Sequence, residues 1–142
     1  MKRKSTLILI VICLALLVGC AADVAAAKSI VGKFWSGWRD LKKTTIMDTL
    51  AGEVEYKYYV LPTTMGSGAI ADIFTDTSVY WEGCTDRNFA IIQTTEYRQT
   101  ELIIVETLVS WMKNSEPVER KINFTLSKID SKWRITKITY VL

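Results

Sequence analysis

Ala27–Leu41 reads AKSIVGKFWSGWRDL. Ala27, Ile30, Val31, Phe34, Trp35, Trp38 and Leu41 recur at three- and four-residue steps, the period of one broad apolar helix face. Lys28, Lys33, Arg39 and Lys42 fall mostly away from it. Gly32 and Gly37 each weaken such a helix by about 1 kcal/mol relative to alanine. Their expected use is to let another element approach closely. Upstream, Ala21–Ala27 is small and carries only Asp23, so residues 20–27 read as a short tether running into this helix. Downstream, Thr44 or Thr45 can cap a second short helix through Ile46, Met47 and Leu50, ended by Gly52.

The period then changes to alternation. Val54, Tyr56, Tyr58 and Val60 face one way and Glu53, Glu55 and Lys57 the other, a solvated edge strand closed by Pro62. Gly66-Ser67-Gly68 reads as a loop. It lacks the Gly-Lys-Ser/Thr of a phosphate cradle. Ala69–Phe74 allows two helical turns. Five segments rich in β-branched and aromatic residues follow: Ser78–Glu82, Asn88–Tyr97, Glu101–Met112, Val118–Ile129 and Trp133–Val141. Ile122, Phe124 and Leu126 alternate with Asn123, Thr125 and Ser127, as one buried face requires. Trp133 and Ile135 are out of step with Ile138 and Tyr140, which predicts a bulge near Thr136-Lys137. Helices first and consecutive antiparallel strands after them define an α+β domain over residues 28–142, its curved sheet wrapped round the first helix.

Ile30–Leu41 followed by Ile46–Tyr56, and the ending Asp130-Ser131-Lys132-Trp133-Arg134-Ile135, resemble the nuclear-transport-factor-2-like superfamily, which includes polyketide cyclases, ketosteroid isomerase and scytalone dehydratase. The resemblance spans roughly residues 27–142. It implies a cone-like, cystatin-like fold with a pocket between the first helix and the concave sheet. Phe34, Trp38, Tyr56, Tyr58, Trp81 and Trp111 are the aromatic residues it would place there. The alternative is that they fill the cone as core. It also implies that dimers form through the sheet.

The first residues carry a second signal. Lys2, Arg3 and Lys4 precede an apolar run from Leu7 to Val18, then Gly19 and Cys20. This is the plan of a secretory signal. The run makes a helix of roughly 18 Å at about 1.5 Å per residue, too short for the roughly 30 Å of a bilayer core. Leu17-Val18-Gly19-Cys20 resembles the lipobox of bacterial lipoproteins. That resemblance implies that residues 1–19 are removed and that Cys20 carries diacylglycerol on sulfur. Ala21 after the cysteine implies the outer membrane, facing the periplasm, where the organism has two membranes.

Three of the 18 cations are Lys2, Arg3 and Lys4, and the remaining 15 balance the 15 anions. Net charge therefore gives no argument for a nucleic-acid partner. With Cys13 in the signal and Cys20 lipidated, Cys84 stands alone, either a buried small hydrophobe or a thiol able to pair between chains. There is no histidine. That excludes a Ser-His-Asp triad, a Cys-His pair and histidine-bearing zinc sites. No metal or cofactor motif is visible. An isomerase would need a general base facing an oxyanion donor, for which Asp48, Asp72 or Asp76 with Tyr56 or Tyr58 can be proposed. No catalytic motif supports that choice. The expectation is a non-catalytic, membrane-anchored binding or assembly domain of the cell envelope. It would meet an envelope protein or a second copy through its sheet. The alternative is an apolar small-molecule carrier or isomerase-like enzyme.

Overall fold

The computed structural model describes the backbone of residues 2–58 and 61–141 and, within these, the side chains of Gly19 and of residues from 21 onward. The proposed signal side chains, the Cys20 acylation site, Val60 and Leu142 lie outside that set. Helix α1 (Lys2–Arg39) leads into the short α2 (Lys43–Met47), then strands β1 (Leu50–Lys57) and β2 (Thr63–Gly66) and helix α3 (Ser67–Thr75). Four long strands follow: β3 (Cys84–Tyr97), β4 (Leu102–Lys113), β5 (Glu116–Ile129) and β6 (Lys132–Val141). They form one six-stranded sheet in the order β2-β1-β6-β5-β4-β3. Among the described residues only the β1–β6 pairing is parallel. The architecture is α+β, with the helices packed on a curved, mostly antiparallel sheet.

Helix α1 buries most of the face drawn from its sequence, but Leu41 lies beyond its end, in a left-handed conformation and exposed. Ala27, Val31, Phe34, Trp35 and Trp38 are all fully buried. Trp35 is their centre. Its ring meets Phe34, Trp38 and Phe124 edge-on with centroids 5.1–5.3 Å apart. Its indole nitrogen donates to Thr107 Oγ1 at 3.2 Å, and that hydroxyl donates to the Ile122 carbonyl at 2.7 Å. Thr107 and Ile122 face each other across β4 and β5. One hydrogen-bonded chain thus ties the helix to the middle of the sheet, where an unpaired donor would be costly.

Gly37 permits the α1–α2 contact. A Cβ there would lie 2.9 Å from Ile46 Cγ1 and 3.2 Å from the Lys42 carbonyl. Gly32 has nothing within 4 Å, so the close approach expected of both glycines occurs at one. Asn114-Ser115 and Asp130-Ser131 have positive φ at both central positions, the turn whose twist matches two antiparallel strands. The predicted bulge is present: Thr125 pairs with Lys137 and Leu126 with Ile135, leaving Thr136 extra.

Several expectations need correction. Residues 21–27 are helical, and Asp23 accepts from Trp133 Nε1 at 2.9 Å and pairs with Lys128 at 3.2 Å. Leu50 and Gly52 belong to β1, because α2 ends at Met47 and Thr49 bonds back onto Ile46. The solvated face of β1 is not an edge. β2, unseen in the sequence, covers that side, and Glu55 pairs with Lys137 of β6 at 2.6 Å. Gly66 ends β2, while Ser67 and Gly68 open α3. Ser78–Glu82 forms turns rather than a strand. Asp76 Oδ1 accepts from the Ser78 amide at 2.8 Å and its hydroxyl at 2.6 Å, and this local bonding overrides the β-rich composition.

Thr107→Val keeps the shape but strands the Trp35 indole N–H, so it should cost about 1–3 kcal/mol in urea unfolding. Thr107→Ser, which keeps the hydroxyl, should lose less. Equal losses in the two variants would mean that the hydrogen bond is not what holds the helix.

Candidate functional site

The long strands carry their inward faces past the end of α1, and the space left there is a cavity of about 380 Å³. Tyr56 at the end of β1 and Tyr140 at the end of β6 form one wall, joined by Tyr58. Tyr58 meets Tyr140 edge-on at 4.7 Å and stacks on Tyr56 at 6.4 Å. Trp81 and Trp111 form the opposite wall, 5.1 Å apart at 78°. Ile73, Tyr80, Cys84, Lys113, Val118 and Arg120 complete the lining. The tight 76–83 turn holds Trp81 in place, with its indole nitrogen donating to the Ile73 carbonyl at 2.7 Å.

Of the six aromatic residues proposed from sequence, Tyr56, Tyr58, Trp81 and Trp111 line this space. Phe34 and Trp38 do not: both are 0% exposed and lie beneath it. Trp38 touches Trp81 and Trp111 from below, at 5.2 and 6.2 Å, and so supports the wall. Tyr80, Tyr140, Cys84, Lys113 and Arg120 were missed. Their signal was present in part, because Trp111 and Lys113, like Val118, Arg120 and Ile122, continue the inward alternation of β4 and β5. Cys84 is half-buried, between the two states considered for it, and its thiol lies 3.7 Å from the Glu82 carbonyl.

Burial pushes the Tyr56 phenol up to about 12, although a hydrogen bond with Tyr140 counters part of that rise. Burial raises Tyr140 well above the ordinary tyrosine value, with Arg120 pulling the other way. Both phenols are neutral at physiological pH and can donate. Among the described lining residues there is no carboxylate. Asp48 pairs with Lys33 at 3.2 Å, Asp72 with Lys43 at 2.5 Å, and Asp76 serves Ser78. The three candidate bases thus have partners elsewhere and none enters the cavity. Arg87 lies deeper, its guanidinium 5.4 Å from the Trp38 ring and 5.5 Å from the Trp81 ring, and donates to the Trp38 carbonyl at 3.0 Å. It closes the C-terminal end of α1, where the helix dipole is negative.

No protein-family model matches this sequence, and no curated protein matches it. Solved structures do. An NTF2-like protein with a cystatin-like fold from Novosphingobium aromaticivorans has a TM-score of 0.69 at 12% identity, covering 91% of this chain and 87% of that one. A domain of unknown function with a cystatin-like fold from Nostoc punctiforme gives 0.69 at 11%, covering 84% and 76%. An NTF2-like protein of unknown function from Shewanella oneidensis gives 0.65 at 12%, covering 82% and 96%. The fold is therefore NTF2-like, with the cystatin-like arrangement of helix and sheet. At these identities the likeness establishes the fold alone.

Two measurements check this description. Trp38→Ala removes a fully buried indole and should cost about 3–5 kcal/mol; a wild-type melting temperature would place Trp38 outside the core. The second uses alkaline pH. The folded state keeps the Tyr56 and Tyr140 protons to higher pH than the unfolded chain, whose tyrosines titrate near 10. Both contributions to stability are full below about pH 10, and that of Tyr56 is lost as pH rises toward 12. Tyr56→Phe should flatten that fall, and an unaltered alkaline profile would contradict the burial of its phenol.

Proposed function

We propose that this chain is a bacterial lipoprotein, anchored through Cys20, whose NTF2-like domain holds a small apolar ligand without converting it. The carrying observation is the cavity itself. It offers aromatic walls and donors but no carboxylate among its described residues, which suits holding better than proton abstraction. The lipobox-like Leu17-Val18-Gly19-Cys20 supports the anchor and a place in the cell envelope, at the outer membrane facing the periplasm. Two or three acyl chains give lasting attachment where one does not. Assembly with an envelope protein or a second copy is the other reading. It is favoured by β3, a sheet edge with no charged residue from Asn88 to Thr95 and with Ile92 half exposed.

The decisive experiment is mass spectrometry of small molecules released on denaturing the purified full-length protein. An apolar compound should come from the wild type and be absent from Val118→Trp, which fills the cavity from β5. Release of nothing apolar from the wild type would leave assembly as the better reading. Separately, Cys20→Ser should abolish incorporation of labelled palmitate and leave a longer, uncut chain. Persistent label would remove the lipoprotein assignment.

A further inference from the structure

The inward face of the sheet changes character at its open end. Along β4 it runs Ile103, Val105, Thr107, Val109, Trp111 and then Lys113; along β5 it runs from Leu126, Phe124 and Ile122 out to Arg120. Alternation that buries apolar residues for most of a strand thus reaches, on two neighbouring strands, an exposed cation on the inward face, with Val118 beyond Arg120 on β5. Both cationic side chains are exposed and stay hydrated, so the charge is carried at little cost and can meet a ligand anion. Both cations lie in the cavity wall.

Among the described residues no carboxylate pairs with either cation. Arg120 Nη1 donates to the Glu119 carbonyl at 2.7 Å, a contact along its own strand. Glu116 stands opposite Lys113 in the β4–β5 ladder, yet no ion pair joins them. The neutral polar groups point the same way. Trp111 Nε1 and Trp38 Nε1 are both buried with no acceptor. Tyr56 and Tyr140 hydrogen-bond to one another and remain protonated. The wall therefore combines aromatic surface with donors and positive charge and lacks an ionised acceptor among its described residues. A buried donor without an acceptor is unfavourable by roughly 1–3 kcal/mol, and a ligand oxygen removes that penalty.

We infer that the cavity selects apolar ligands that carry a carboxylate, the apolar body lying between the tyrosine and tryptophan walls and the carboxylate facing Lys113, Arg120 and Trp111. This rests on the carrier reading and specifies its ligand. Arg120 supplies a planar fork suited to two carboxylate oxygens, and Lys113 a point charge beside it.

The test compares 2-naphthoate with its neutral counterpart, 2-naphthalenemethanol, by calorimetric titration into the full-length protein in phosphatidylcholine nanodiscs, with empty discs as the blank. The acid should bind at least about tenfold more tightly than the alcohol, a difference that one or two charge-assisted hydrogen bonds readily give. Lys113→Gln combined with Arg120→Gln, both exposed positions, should lower the acid's affinity toward the alcohol's, with a much smaller effect on the alcohol. Equal binding of acid and alcohol to the wild type would overturn the selectivity while leaving a carrier. Binding of neither probe, with Val118→Trp indistinguishable from wild type, would overturn the carrier as well.

Discussion

Everything in this fold depends on a tryptophan that is both the largest body in the core and a hydrogen-bond donor within it. Trp35 brings five aromatic neighbours into contact and sends its one polar atom to Thr107. The rings alone would allow α1 to slide or rotate on the sheet, since apolar contact has no direction. The indole–hydroxyl–carbonyl chain removes that freedom by fixing one point of the helix to one register position of β4 and β5. A curved sheet then follows as a geometric necessity, because strands of 12 and 14 residues must bend round the bulk of Phe34, Trp35 and Trp38.

The cavity is a by-product of the same arrangement. The helix turns away after Arg39, with Leu41 in a left-handed conformation, while β4, β5 and β6 continue. Beyond that point the sheet has an inward face and no helix to cover it. The 76–83 turn and the tyrosines of β1 and β6 partly close the gap. Trp38 marks the boundary: its upper side supports Trp81 and Trp111, and its lower side is core.

The helix face, the long strands and the Thr136 bulge were legible because periodicity reports burial directly, and α1, β4, β5 and β6 bury one face along much of their length. The short elements were not. β2 has only four residues, and α2 five, and neither carries a period that can be measured. Ser78–Glu82 has strand composition, but an aspartate two residues ahead of a serine offers the backbone a competing set of bonds. The site was half legible for a related reason. Aromatic residues announce themselves, whereas Lys113 and Arg120 look like ordinary surface charge until their parity on the strand is counted. Phe34 and Trp38 were indistinguishable from wall residues in sequence, because core and cavity wall share one chemistry and differ only in depth.

The part of α1 that packs on the sheet is secured at two distant points. Asp23 is held at the β5–β6 turn by Trp133 and Lys128, whereas Trp38 lies under the cavity beside Arg87. Fifteen residues of helix separate them, roughly 22 Å at about 1.5 Å per residue. If Cys20 carries the proposed anchor, the lipid is attached three residues before Asp23. The cavity then lies at the far end of the helix from that lipid. A ligand carrier held in that way would take up and release its ligand at the end of the domain away from its anchor.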